Sequence, residues 1–445
     1  MKVYLRTLGC DKNLVDSEII LGQLDKSLFN ITDNLTEADV AIINTCGFIM
    51  DAKIESIDNI LAIADYKEQG TLKSLLVVGC LSQRYSQALL DEIVEIDGIL
   101  GTNEYLQINE FILTSLAGKK PVIRNENLFE YLEPLERFQL TPKHYRYIKI
   151  AEGCDNHCTF CVIPLIRGSY RSRSINTILT EAQQAVADGA KELILVAQDS
   201  TYYGIDLYNR PMLATLVNEL TAIPELHWLR ILYLYPGGID DELINTFATN
   251  EKLVKYIDMP LQHSEEHLLK KMARPSFQTN IKELIAKLRE KIPHVSIRTS
   301  LIVGFPGETT TDFNNLSAFV KDVKFDRLGV FTYSDEEESA SYKLKEKVPE
   351  SEKERRAASI MSLQNRIAAN KSSEFVGTIQ EVLIERYDAE NNVYIGRTQY
   401  DAPEVDGEVY INNVTAKIGD FISVKITHSY DYDLVAEGIP NEFTE

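Results

Sequence analysis

Short apolar, β-branched runs alternate with longer stretches of helical periodicity over the first 330 residues. Val3–Leu8, Val40–Asn44 and Leu75–Val78 read as strands, and Leu14–Leu24, Ala52–Glu68 and Gln83–Val94 as helices. That order predicts a parallel, doubly wound sheet over residues 1–117. Residues 118–142 show little periodicity, are punctuated by Lys119-Lys120-Pro121, Pro134 and Pro142, and read as a linker. A second alternation spans residues 143–371. Its strands are Tyr147–Ala151, Leu193–Ala197, Leu229–Leu232, Tyr256–Met259, Ser296–Val303 and Leu328–Thr332. Its helices are Asn176–Asp188, Met212–Ala222, Asp241–Ala248, Gln278–Lys291 and Thr310–Val323. Six strand–helix units are too few to close an eight-fold barrel, so an open partial (βα)6 barrel is predicted, with chemistry at the strand C-terminal ends. Glu350–Lys371 reads as a connecting helix. From 372 to 440 the runs Ile379–Glu385, Val393–Arg397, Gly407–Ile411 and Phe421–His428 predict a small all-β barrel. The fold class is therefore α/β with a C-terminal β module.

Composition narrows the partners. Of 445 residues, 44% are hydrophobic and 25% charged, which is the balance of a globular protein. The net charge of −21 repels nucleic acid, makes tRNA an unfavoured partner and favours a basic macromolecule. About half of that charge sits in the tail, where Ser373–Glu445 holds 15 acidic residues against 4 basic ones. No apolar run approaches the roughly 18 residues that span a bilayer, and Met1–Leu8 lacks a signal-peptide core. The expected compartment is the cytoplasm, with no membrane partner and no structural disulfides.

Three of the six cysteines, Cys154, Cys158 and Cys161, fall within eight residues. At i, i+4 and i+7 they could line one face of a core helix. The turn formers Gly153, Asp155 and Asn156 argue instead for a loop. Structural zinc wants four ligands. Three thiolates suit a cubane iron–sulfur cluster with one iron left open. His157, between two of them, reads as an exposed loop residue, and Trp228 as core. Cys10, Cys46 and Cys80 each stand at or just past the carboxyl end of a predicted parallel strand, the edge where open α/β sheets bind ligands. Gly9, Gly47 and Gly79 beside them allow close backbone approach. Three cysteines distant in sequence are thus expected to share one site. Arg167, Arg171 and Arg173 form a basic cluster that could hold a carboxylate, although each taken singly reads as a solvated surface position.

The run Cys154-Asp155-Asn156-His157-Cys158-Thr159-Phe160-Cys161, after the first strand of a partial barrel, resembles the radical S-adenosylmethionine (SAM) superfamily. Leu8-Gly9-Cys10, Asn44-Thr45-Cys46-Gly47-Phe48, Val78-Gly79-Cys80, Pro260-Leu261-Gln262-His263 and Val303-Gly304-Phe305-Pro306-Gly307-Glu308 resemble the methylthiotransferase family within it. The tail resembles the TRAM domain. Lys12-Asn13-Leu14-Val15-Asp16-Ser17-Glu18 and Asp401-Ala402-Pro403-Glu404-Val405-Asp406-Gly407 are similar to the branch that modifies a ribosomal-protein aspartate, with Asp11 standing where that branch commonly has proline. The resemblance implies two 4Fe–4S clusters, one on Cys154, Cys158 and Cys161 with SAM on its open iron, and a sulfur-bearing one on Cys10, Cys46 and Cys80. It implies methylthiolation of the β-carbon of an aspartate in small-subunit ribosomal protein twelve. Breaking that unactivated C–H bond needs a radical supplied by the cofactor. Phe160 is expected near the adenine, and Gln198, Gln262, Gly304 and Glu308 near SAM. A small-protein or flavoprotein reductant is expected, and the acidic tail would attract the basic substrate. A tRNA adenosine methylthiotransferase is the alternative, and an iron–sulfur electron carrier a more distant one.

Overall fold

The computed structural model describes residues 1–124, 135–274 and 279–439. Pro134, Gln278 and residue 440, used above for the linker, a helix start and the end of the tail module, lie outside them. The N-terminal strands are β1 (Lys2–Thr7), β2 (Asn30–Ile31), β3 (Val40–Thr45), β4 (Ser74–Gly79), β5 (Gly98–Leu100) and β6 (Val122–Ile123). They form one parallel sheet in the order β2-β1-β3-β4-β5-β6. Side chains alternate across it. Val40 and Ile42 pack with α1 (Asp11–Gly22) and α4 (Ile108–Leu116), whereas Ala41 and Ile43 pack with α2 (Met50–Glu68) and α3 (Cys80–Glu92). The doubly wound expectation holds. β2, β5, β6 and α4 add to the three strands and three helices legible in the sequence, and β6 extends the sheet into the stretch read as linker.

The central part holds β7 (Tyr145–Lys149), the short strands β8 (Ala151–Glu152) and β9 (Arg171–Ser172), then β10 (Glu192–Val196), β11 (Trp228–Ile231), β12 (Tyr256–Asp258), β13 (Ser296–Val303) and β14 (Arg327–Thr332). Two parallel sheets result, β11-β10-β7 and β12-β13-β14. Leu229 bridges Leu253, and the Leu234 amide donates to the Asp258 carbonyl at 2.8 Å, so the two run on as one six-stranded arc. No ladder joins β7 to β14 among the described residues, and the arc stays open. Tyr147, Ile194 and Val196 on the arc share an apolar cluster with Val15 and Ile19 of α1. That helix is therefore buried between sheet and arc, which explains its many buried polar residues. Trp228 is core, as expected.

The helix Glu350–Ser373 leads into a closed barrel of β15 (Ile379–Asp388), β16 (Val393–Arg397), β17 (Val409–Asn412), β18 (Phe421–Ser429) and β19 (Leu434–Gly438), in the order β15-β16-β17-β19-β18. β19, absent from the sequence reading, closes it by pairing parallel to β17 and antiparallel to β18. This module docks on the amino-terminal ends of the arc strands. Arg397 pairs with Glu192, which also accepts from Arg230 at 2.8 Å. Arg327 pairs with Asp401, the Tyr256 hydroxyl donates to Asp406 at 2.5 Å, and the Tyr145 hydroxyl donates to Glu404 at 3.3 Å. The run 401–407 is a docking segment.

Candidate active site

The loop triad hangs from a short antiparallel ribbon, β8 on β9, that follows β7 at its carboxyl end. The Cys154 amide donates to the Gly168 carbonyl at 3.1 Å, and Asp155 accepts from the Tyr170 amide at 2.9 Å. Gly153 sits at φ +79°, and a Cβ there would lie 2.6 Å from the Gly168 carbonyl oxygen, so only glycine fits. The far side is held by Thr159, whose amide and hydroxyl donate to Met272 and Lys271 carbonyls, each at 2.9 Å. Burial pushes the Cys154 thiol up to about 11 and the Cys161 thiol up to about 12, with Cys158 adding to the latter. A cluster that takes thiolates as ligands removes that penalty, so the donor set fits one. His157 is exposed.

The second triad is assembled by sheet order. β1, β3 and β4 are neighbours, and each ends at a cysteine: Cys10 caps α1, Cys46 follows β3, and Cys80 opens α3. Asn13 donates to the Leu8 carbonyl at 2.9 Å and to the Thr45 carbonyl at 3.0 Å, tying two of these strand ends together. Ser56 clasps Cys46 through its amide (3.0 Å) and carbonyl (2.9 Å). A Cβ on Gly9, at φ +88°, would come within 2.7 Å of the Cys46 Cβ and 3.1 Å of its Sγ. Burial, with Cys80 and Cys10 adding to it, pushes the Cys46 thiol up to about 12. All six cysteines are free; Cys10 and Cys80 lie close enough to act on the Cys46 thiol, and Cys154 and Cys158 on the Cys161 thiol.

Between the triads stands α5 (Ile163–Arg167). Val162 and Ile166 pack directly on Cys80. Arg167 is 2% exposed, which corrects the solvated reading. Its guanidinium donates to Glu152 (2.9 Å), Asp16 (2.8 Å), Asn13 (2.7 Å) and the Cys80 Sγ (3.5 Å). Lys149 completes the network, on Glu152 at 2.7 Å and on Asp16. Burial alone would raise the Glu152 carboxyl, but Arg167 and Lys149 overcome it and hold it below the usual range. Asn13 and Asp16 of the Lys12–Glu18 run are thus the N-terminal half of an interdomain lock. Ahead of them, the Lys12 ammonium lies 3.3 Å from the centre of the Tyr233 ring, and the Tyr233 hydroxyl donates to Asp11 at 3.1 Å. Of the other two arginines, Arg173 is buried and Arg171 half-buried.

The remaining residues expected around SAM divide. Gln198, past the carboxyl end of β10, donates to Glu152 at 2.9 Å, and its buried carbonyl oxygen has no hydrogen-bond partner among the described residues. Phe160 packs beside Met272, Phe305 and Tyr333. Gln262, at φ +75°, gives its backbone to a bridge with Leu301. Glu308 spends its carboxylate on the Gly304 and Phe305 amides and on Arg356 (3.0 Å), and Gly304 is pressed against the stem of Lys353. These contacts make Gly304 and Glu308 a fastened turn. Sequence reasoning missed Arg274, which donates to the Cys158 Sγ at 3.7 Å and stacks 4.3 Å from the Tyr235 ring centre. Nothing local in the sequence marks it.

Residues 148–320 match the radical SAM superfamily, residues 376–439 the TRAM domain, and residues 2–101 the uncharacterized protein family UPF0004. Among solved structures, the radical SAM methyltransferase TsrM from Kitasatospora setae shares the fold, with TM-score 0.55 and 13% identity over 74% of this chain and 72% of that one. The protein is an enzyme of the radical SAM methylthiotransferase class, which uses SAM and a 4Fe–4S cluster. It is 46% identical to the ribosomal protein uS12 methylthiotransferase RimO of Trichlorobacter lovleyi, over 98% of both chains. It is 47% identical to the protein of that name from Caldicellulosiruptor saccharolyticus, over 99% of this chain and 100% of that one. The chain belongs to the RimO family.

Proposed function

We propose that the protein attaches a methylthio group to the β-carbon of an aspartate in small-subunit ribosomal protein uS12. The substrate follows the 46% identity to relatives named for uS12, over 98% of both chains, and the two-centre chemistry is supported by the Arg167 lock, which fastens two separate cysteine triads on either side of one short helix. An electron carrier needs neither the second triad nor the six-unit arc. Cys154, Cys158 and Cys161 would hold one 4Fe–4S cluster, and Cys10, Cys46 and Cys80 a second. When bound, these clusters and SAM supply one-electron chemistry and sulfur. Gln198, with its amide pinned by Glu152, offers a fixed carbonyl oxygen to a donor on SAM, and Phe160 offers an apolar wall. Gln262 contributes backbone, and Glu308 holds the Gly304 turn in place. Arg167 and Lys149 keep Glu152 ionised, and so keep Gln198 oriented.

The acidic tail lies at the end of the arc opposite the cysteines, and Glu385, Asp401 and Asp406 are engaged there by arginines. Glu374, Glu390, Asp420, Asp431 and Glu437 remain exposed. Their role is long-range attraction of a basic protein. The same field disfavours tRNA. The protein acts in the cytoplasm with a small-protein or flavoprotein reductant; no helix among the described residues is long and apolar enough to cross a membrane. The test offers uS12 and tRNA separately to the reconstituted enzyme with SAM, sulfide and reductant. A methylthio mass increment on the uS12 aspartate is expected. Modified tRNA beside unchanged uS12 would overturn the proposal.

A further inference from the structure

Helix α2 buries Ser56, Ile60, Ile63 and Ala64 against the N-terminal sheet. Its other side carries Met50, Ile54, Ile57 and Leu61, at spacings of four, three and four residues, so the four form one stripe. They are 49%, 51%, 36% and 46% exposed. Beside the stripe, one step round the helix, lie the exposed carboxylates of Asp51, Glu55, Asp58 and Asp65. Among the described residues no cation pairs with them: Lys53 turns inward to Glu336 at 2.9 Å and Lys67 turns to Asp97 at 2.6 Å.

The stripe starts where the two domains meet beside the second triad. Met50 follows Cys46 by four residues, and its amide donates to the Ser334 hydroxyl, just past β14, at 3.1 Å. Arg84 and Lys53 both pair with Glu336 there at 2.9 Å. An apolar stripe with an acidic flank repels an anionic lipid surface and an acidic reductant. It also repels a second copy of this chain, which would bring the same carboxylates and a net charge of −21. The complement is a basic protein with apolar anchors.

We infer that this face of α2 is a docking surface for the basic protein substrate, an inference that rests on the function proposed above. It supplies near contact beside the cysteines, which the tail, at the other end of the arc, does not.

The test uses the reconstituted full chain and two double variants at exposed positions, Ile54→Asn with Ile57→Asn, and Asp58→Lys with Asp65→Lys. Each is expected to raise KM for uS12 at least tenfold, about 1.4 kcal/mol of binding, with kcat at saturation and SAM cleavage without uS12 unchanged. The charge variant should also weaken the salt dependence of KM, the share owed to the tail remaining. Wild-type KM in both variants would overturn the docking surface while leaving the proposed function standing. A wild-type dimer by light scattering that both variants dissociate would overturn it in favour of self-association. Wild-type enzyme that leaves uS12 unmodified would overturn the proposed function and the docking surface together.

Discussion

The two cysteine triads reach similar ends by opposite means. Cys154, Cys158 and Cys161 are neighbours in sequence, and their loop is shaped by contacts within a few residues, chiefly β8 on β9 and Gly153 on Gly168. Cys10, Cys46 and Cys80 span seventy residues and meet only because β1, β3 and β4 are adjacent and parallel. A local triad needs a correct loop. A topological one needs a correct sheet, and here also a residue of another domain, Arg167, against one of its thiols. The first should tolerate disturbance of the domain interface better than the second.

The largest effects come from the ligands. Cys161→Ala should reduce both SAM cleavage and methylthio transfer to background. Cys46→Ala should abolish transfer while SAM cleavage persists. With two cubanes iron should approach about eight per chain, falling to about four when Cys10, Cys46 and Cys80 are all alanine; wild-type iron near four would remove the second cluster. Arg167→Met comes next. It leaves Asp16 and Glu152 buried with Lys149 as their one remaining cation, a change of about 3–5 kcal/mol in urea melts, and iron should be lost first from the strand-end triad. A pair of glycine variants sharpens the contrast at about 1–3 kcal/mol of strain each. Gly9→Ala should empty the strand-end cluster and spare SAM cleavage, and Gly153→Ala should do the reverse; equal loss in both would deny that the triads are built independently.

The smallest effect lies where the tail docks on the arc, remote from both triads. Burial would raise Glu192, but Arg397 and Arg230 hold its carboxyl below the usual range. Its stabilising contribution is therefore complete above the unfolded value of about 4.3 and is lost as pH falls through the lower folded value. Acid melts of the wild type should lose stability below about pH 4.3, relative to Glu192→Gln. A difference that instead grows between pH 5 and 7 would reverse that sign.

What was legible follows from distance along the chain. The loop triad is visible in eight residues, and the strand-end triad follows from strand order. The fold class and most elements follow from periodicity; the short strands β2, β5, β6 and β19 do not. Side-chain partners were not legible. Arg167 looks like a surface cation until Asp16, 151 residues earlier, is placed 2.8 Å from it. The tail's carboxylates count as surface charge in a composition, yet Asp401 and Asp406 are tied to Arg327 and Tyr256. Glu308 and Gly304 sit at a strand end, and the hydrogen bonds by which they fasten a turn there could not be read from the sequence.

The position of Arg167 has a consequence for how the enzyme is made. As the chain leaves the ribosome, the N-terminal sheet and its three cysteines emerge before the arginine that sets against Cys80, and before Tyr233, which receives Lys12. A sheet that has folded alone presents an unfinished cradle, with Asp16 unpaired and Cys80 uncovered. The strand-end cysteines therefore reach their final surroundings only after the central domain has been synthesised and docked.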